Sequence, residues 1–334
     1  MIQWQAFCSE KQISELKPLF GELQKTLTNM EAELLDFRIP ERPEMEDGLK
    51  RLIGAGGKRL RPCLAWVCYQ MGTSQELPIL PLMCMLELMH TASLVHDDIV
   101  DDAAYRRNVP TIHSLTNRRT AVESGDFLLG KAMEYLKVYR GTGINEILAD
   151  VSAQMCLGEF SQMRNLYQAA GQNEETYLMQ CRQKTAYLIA ASCGCGAAAG
   201  GLDQAQKDAL RDYGEGIGIA FQLKDDLLDF TADQAFGKKR GQDLKNGIFT
   251  LPVLYAFSQN PDPAMIRLAE RKDKTKSDLE QILAYVKDTN GIEYTLERID
   301  DVTKEAVNRL SVLPESMPKQ ALIRMAEALG RRTV

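Results

Sequence analysis

The chain has 334 residues, a formal net charge of −6 and a pI near 5.4, with 45% hydrophobic and 26% charged residues. Those proportions suit an ordinary globular protein, and the acidic balance argues against a nucleic-acid-binding surface. Eight cysteines lie mostly within apolar runs without a C-x-x-C pair, so neither a zinc site nor a secreted disulfide framework is signalled.

Reduced thiols in a cytoplasmic protein are the expectation. The first residues carry no basic stretch followed by an apolar one, so no signal peptide is read there. No transmembrane segment is read either. The uncharged stretch from Thr185 to Leu202 is rich in glycine and alanine and suits a small-residue helix buried among others.

Apolar residues recur at three- and four-residue spacing through roughly 12–37, 44–54, 58–72, 79–102, 117–139, 144–168 and 174–200. The pattern continues through 203–230, 248–258, 263–271, 276–287, 291–312 and 318–330, with glycines and prolines between segments and strand signals nearly absent. The prediction is an all-α protein, a single large bundle of about a dozen helices. No linker or repeat divides it, so residues 1–334 are read as one domain.

In chain order, the first chemical motif is Gly56-Gly57-Lys58-Arg59-Leu60-Arg61-Pro62. Glycines allow close backbone approach, and basic side chains beside a helix N-terminus suit a phosphate. The next helix is apolar almost all round from Leu82 to Leu94, as befits the centre of a bundle. It ends in Asp97-Asp98-Ile99-Val100-Asp101-Asp102. Residues four apart share a helix face, so Asp97 and Asp101 form a carboxylate pair. His90 lies two turns earlier on that face, and Arg106-Arg107 follow the cluster.

Lys184-Thr185 opens the small-residue helix. A second Asp-Asp-x-x-Asp follows at Asp225, Asp226 and Asp229, preceded by Gln222 and Lys224. A basic, glycine-bounded loop from Gly237 to Leu244, including Lys238, is read as a flap. Carboxylate pairs ending apolar helices are costly without a cation between them. Oxygen-only donors suit Mg²⁺ shared with a substrate phosphate. Either cluster alone is more readily a solvated helix end; the second copy, in matching apolar context, reverses that in favour of the metal reading.

Taken together the chain resembles the trans-isoprenyl diphosphate synthases (polyprenyl synthetases). The resemblance rests on GGKRLRP at 56–62, LVHDDIVDDAAYRR at 94–107, GDFLL at 125–129, GEFSQ at 158–162 and KT at 184–185. FQLKDDLLD at 221–229 and GKKRGQDLKNGIFTLP at 237–252 complete it, over about residues 45–330. It implies a helical bundle round a central cavity, usually a homodimer, that joins isopentenyl diphosphate to an allylic diphosphate with about three Mg²⁺ ions.

The resemblance assigns metal to Asp97 and Asp101 and to Asp225 with Asp229 nearby, while Asp98 and Asp226 support by hydrogen bonding. It places Arg106, Lys184, Gln222, Lys224 and Lys238 on the allylic diphosphate, and Lys58, Arg59, Arg61, His90 and Arg107 on isopentenyl diphosphate. Thr185 and Gln222 are expected to stabilise positive charge through their oxygens. Ile248 departs from the lysine or asparagine of many relatives, so one diphosphate contact is expected to be absent or supplied by Lys245.

Product length is expected to follow from Ala92 and Ser93, one turn before the aspartates, whose small size leaves a growing chain room beyond farnesyl. Leu129 and Met133 are the deeper candidate stoppers, and release of a long product implies transient membrane contact. A terpene cyclase needs no second diphosphate site, and a regulatory subunit would show eroded aspartates or arginines. A calcium loop is excluded by Ile99 and Val100 at ligand positions and by the lack of a turn glycine.

Overall fold

A computed structural model describes residues 10–75, 77–231 and 240–330 of the chain. The helices run α1 Glu10–Leu35, α2 Pro43–Gly54, α3 Leu60–Tyr69, α4 Ile79–Val100, α5 Ile112–Leu115, α6 Arg118–Tyr135, α7 Ile144–Arg164 and α8 Glu174–Cys181. They continue as α9 Tyr187–Ala199, α10 Gln204–Thr231, α11 Gln242–Lys245, α12 Leu251–Gln259, α13 Pro263–Glu270, α14 Lys276–Asp288, α15 Gly291–Arg309 and α16 Met317–Gly330. The all-α expectation holds, and most boundaries fall within a few residues of the sequence periodicity.

Three local features escaped the periodicity. A two-residue hairpin pairs Tyr105 with Pro110 and Arg106 with Val109. Its turn residues Arg107 and Asn108 have φ of 51° and 64°, the left-handed values that a type I′ turn requires. Helix α3 starts at Leu60 because Gly56 and Gly57 have φ of 79° and 156° and Arg59 one of 46°. Between α8 and α9 a π-helical turn spans Arg182–Ala186.

The chain forms two compact units. One comprises Met1–Ala149, Ala191–Arg211 and Val312–Arg324. In it α4 packs against α1, α3 and α6. Trp66, Leu64, Leu82, Met85, Leu86 and Leu128 are no more than 2% exposed, each contributing roughly 1.5–3 kcal/mol by burial. Helix α4 is long and apolar enough to cross a membrane, and the sequence reading placed its apolar run at the centre of a bundle. Within its most apolar window 61% of residues are buried in the fold, the behaviour of a core helix.

The other unit comprises Asp150–Ala190, Asp212–Ser311 and Met325–Val334. There α12 packs on α8, α14 and α15, around a core that includes Leu223, Phe249, Val253, Ile282, Val286 and Ile299.

The glycines and alanines of α9 serve close packing. A Cβ at Gly196 would overlap the backbone carbonyl oxygen of Ala65 on α3. Gly196→Ala should therefore lower unfolding stability by about 1–3 kcal/mol, outweighing the roughly 1 kcal/mol gained from helix propensity. The midpoint of urea unfolding checks this, and an unchanged or raised midpoint refutes it.

Candidate active site

In the first unit, Asp97 and Asp98 occupy the last turn of α4, and Asp101 is its C-cap. Carboxylates at a helix C-terminus face the negative end of the macrodipole, so this end needs positive charge. The hairpin supplies part of it: Arg106 Nε donates to Asp98 Oδ1 at 2.6 Å. Burial nevertheless raises the Asp98 carboxyl above its usual range, with Arg106 opposing the shift. Asp97 is half-buried and Asp101 exposed. Arg118 pairs with the exposed Asp102 at 2.7 Å.

The basic motif is folded around its glycines. Arg107 Nη1 donates to the Gly56 carbonyl, and a Cβ at Gly57 would lie 2.7 Å from that same nitrogen. Only glycine leaves the guanidinium its place. Arg59 turns inward: Nη1 donates to Glu87, Nη2 to the Ile53 carbonyl at 2.7 Å and Nε to Glu31 at 3.4 Å. Arg59 and Glu87 are both buried. Arg59 is thus bound to protein acceptors, where the sequence reading had it on a phosphate.

Lys58 is exposed. Arg61 is half-buried, and its Nε is buried with no hydrogen-bond partner among the described residues. Burial pulls the Arg61 guanidinium down to about 10; Glu87 opposes this, and Arg107 adds to it. His90 is held well below its usual pKa by burial, then by Arg61, Arg107, Arg106 and Arg59. Arg59 and Arg106 are already paired with Glu87 and Asp98, so Arg61, with its orphaned Nε, and Arg107 are the guanidinium groups beside His90 best suited to an anion.

In the second unit, Lys184 and Thr185 lie on the π-helical turn, a geometry frequent at functional sites. Gly158 of the GEFSQ run lets α7 approach that turn, since a Cβ there would fall 2.8 Å from Gln183 Cβ. Two other residues of the run hold the lysine: Lys184 Nζ donates to Gln162 Oε1 at 2.9 Å and lies 3.5 Å from Glu159 Oε2.

From Thr185 a hydrogen-bonded chain runs into α10. Thr185 Oγ1 donates to Gln222 Oε1 at 2.6 Å, and Gln222 Nε2 donates to Asp226 Oδ1 at 2.6 Å. The Tyr177 hydroxyl donates to Asp226 Oδ2 at 2.5 Å. Burial pushes the Asp226 carboxyl up to about 6, opposed by its Tyr177 and Gln222 donors. Burial and the neighbouring Asp226 charge raise the Tyr177 phenol well above its usual value.

Asp225 is exposed. Asp229 accepts the Gln242 and Asp243 amides at 2.9 and 3.0 Å, capping α11 with both carboxylate oxygens. Lys224 Nζ donates to the Leu329 carbonyl at 2.8 Å, near the C-terminal end of α16. Both residues therefore hold backbone, a role that their motif spacing does not reveal. Ile248 is half-buried and Lys245 exposed. Lys238, in the loop expected to form a flap, lies outside the described residues.

Asp243 escaped assignment although it sits in the quoted loop motif. Burial, followed by the Asp226 and Asp229 charges, pushes its carboxyl up to about 7. Glu87 was also missed, and its signal was available as the one charge within the apolar run from Leu82 to Leu94. Nothing in the sequence marks Tyr177.

Of the length candidates, Ala92 is fully buried, and Ser93 Oγ donates to the His90 carbonyl at 2.9 Å. Leu129 is half-buried. Met133 is 41% exposed, a surface position in the single chain and not a buried floor.

The acidic donors fit Mg²⁺. They are all oxygen, and Asp97 with Asp101, four residues apart at the end of α4, leaves most of an ion's coordination to water or substrate. Such pairs suit an ion that keeps waters and shares substrate phosphate oxygens.

Residues 42–286 match the family described as polyprenyl synthetase. The chain is 34% identical over 319 residues to heptaprenyl diphosphate synthase component 2 of Bacillus subtilis, covering 95% of this chain and 91% of that protein. It superposes on a decaprenyl diphosphate synthase from Rhodobacter capsulatus with a TM-score of 0.89 at 31% identity, covering 96% of this chain and 99% of that one. A polyprenyl synthase from Caulobacter crescentus, solved with calcium and isoprenyl diphosphate, gives a TM-score of 0.84 at 29% identity over 96% and 98% of the two chains. Motifs, fold and relatives agree, and the chain belongs to the polyprenyl synthetase family.

Proposed function

We propose that this protein is an all-trans polyprenyl diphosphate synthase adding isopentenyl diphosphate to an allylic diphosphate by successive 1′-4 condensations. The observation that carries the reading is the nest around His90, with the unpartnered Arg61 Nε at its side. It offers a site for a second diphosphate, distinct from the metal-binding carboxylates. A cyclase, with one diphosphate to bind, has no use for it.

Lys58, Arg61, His90 and Arg107 bind isopentenyl diphosphate, and Arg59 positions them from below through Glu87. Asp97 and Asp101 in the first unit, and Asp225 in the second, would hold about three Mg²⁺ ions, which would supply positive charge to offset that of a departing diphosphate. Asp98 fixes Arg106, and Asp229 and Asp243 shape the loop beside Asp225. Lys184, steadied by Glu159 and Gln162, would contact the allylic diphosphate, the role that resemblance also gives Arg106. Carbon–oxygen cleavage gives an allylic cation. The isopentenyl double bond attacks it, and proton loss to the released diphosphate restores the alkene. Thr185 and Gln222 oxygens face the positive charge.

The small size of Ala92, together with the heptaprenyl, octaprenyl and decaprenyl products in the names of similar proteins, supports a product beyond farnesyl, about six to ten isoprene units. Leu129 is the better candidate for the deeper stop than the exposed Met133. Buried free thiols support a cytoplasmic setting. An apolar stripe on α7, with Leu157, Phe160 and Met163 at 52%, 67% and 48% exposure, supports a homodimer. The two-component form in the name of the Bacillus subtilis relative supplies a second reading, a catalytic subunit that needs a partner. Incubating the purified chain alone with farnesyl diphosphate, isopentenyl diphosphate and Mg²⁺ separates the two, since a subunit that needs a partner makes no long product.

Three outcomes are expected. Asp97→Ala and Asp225→Ala each remove a metal ligand worth several kcal/mol in the transition state. Turnover should be lost in both while helical circular dichroism is kept. Near-normal rates at saturating Mg²⁺ would sink the assignment.

Ala92→Phe should truncate the product to about three or four isoprene units while the first condensation proceeds at its normal rate. Chromatographic sizing decides this, and an unshortened product removes Ala92 from the length device.

The third concerns His90. Its folded pKa lies below the unfolded value near 6.5, so on acidification the unfolded chain takes the proton first. His90 therefore contributes a loss of stability as pH drops through about 6.5, against the opposite contribution of Asp243 and Asp226, whose raised carboxyls take up protons first in the folded chain. Between pH 7 and 6 His90→Asn should lose less stability, or gain more, than the wild-type chain, and inorganic diphosphate, which favours the imidazolium, should shift the wild-type chain in the same direction. Urea unfolding at stepped pH measures both effects.

A further inference from the structure

The chain Tyr177–Asp226–Gln222–Thr185 has a direction. A carboxylate can only accept, and both Asp226 oxygens do so: Oδ2 from the Tyr177 hydroxyl and Oδ1 from Gln222 Nε2. With its NH₂ committed to Asp226, the Gln222 amide presents Oε1 to Thr185, and the Thr185 hydroxyl gives its proton to that oxygen. The unshared electron pairs of Thr185 are left for whatever approaches it. Flipping the amide reverses this pattern: Thr185 then accepts from Nε2, and its own proton points outward. One arrangement offers negative charge to a developing cation, and the other offers positive charge. Tyr177, Asp226 and Thr185 are 4%, 7% and 7% exposed, so water is poorly placed to substitute for a missing partner.

We propose that Tyr177 is a positioning residue for the condensation: through Asp226 its hydroxyl fixes the Gln222 amide and so sets which way the Thr185 hydroxyl points. This rests on the reading of the chain as a prenyl-chain synthase, where positive charge develops at the allylic carbon. Tyr177 touches neither substrate. Its contribution is a dipole direction at Gln222 and Thr185, the kind of prepared polarity that lowers a barrier without tightening substrate binding.

The test is Tyr177→Phe, which removes one oxygen and keeps the ring in its pocket. In the purified chain with Mg²⁺, kcat should fall about tenfold while KM for each diphosphate stays within about twofold. The same change in a Gln222→Ala background should lower kcat no further, because the group through which Tyr177 acts is gone. A structural role would instead lower thermal stability and kcat alike in both backgrounds. That result overturns the proposal, as does a Tyr177→Phe variant with wild-type kcat. If Tyr177→Phe does not fold, Asp226→Asn takes its place. Asn keeps one acceptor oxygen but loses the second, and the same kcat loss, absent in the Gln222→Ala background, is expected. Full activity in Asp226→Asn counts against the proposal. Wild-type protein that fails to condense the two substrates removes the functional reading and the proposal together. Activity lost in Gln222→Ala but kept in Tyr177→Phe removes the proposal alone.

Discussion

Holding like charges together is the constraint on which the first unit depends. Arg59, Arg61, Arg106 and Arg107 all press on His90, and within a protein such repulsion is screened far less than in water. The fold contains it with two buried carboxylates: Asp98 pairs with Arg106, and Glu87 meets Arg59 directly and acts on Arg61 and Arg107 at longer range. Breaking a buried pair of this kind leaves an uncompensated charge. Arg59 therefore sits in a left-handed backbone conformation at the N-cap of α3, a strain sustained because its guanidinium is held from several sides.

The second unit solves the opposite problem. Asp225, Asp226, Asp229 and Asp243 repel one another, and the fold separates their duties. Asp226 faces inward to Tyr177 and Gln222, Asp229 caps α11, and Asp225 remains exposed. Adjacent aspartates of one motif thus divide into an outward-facing group and groups that brace the backbone, because successive residues on a helix point about 100° apart.

Much of this was legible in the sequence. The helices followed from apolar spacing, and the aspartate pairs and basic motif stood out by spacing and charge. The same features could not say which member of a motif meets ligand and which meets protein. Arg59 and Arg61 are equally basic and two residues apart, yet one is paired and the other has an orphaned nitrogen. The left-handed backbone at Arg59 decides that, and no propensity scale marks it. Glu87 was readable as a charge where none should be tolerated. The hairpin at Arg107-Asn108 was obscured because neither turn residue is glycine. Tyr177 and the π turn depend on tertiary packing and leave no local trace.

That turn has a geometric effect of its own. Tyr177 and Ala186 are nine residues apart, and in an uninterrupted α-helix they would point in opposite directions, since nine steps of about 100° leave half a revolution. Yet both meet α10: Tyr177 reaches Asp226, and Ala186 packs where Gly218 has no side chain. The extra residue of the π-helical turn absorbs about 100° of that rotation and brings the two onto neighbouring faces. The irregularity works as a phase shifter, letting one continuous rod address α10 with two differently aimed segments. A helix of ideal geometry and the same length could satisfy one contact or the other.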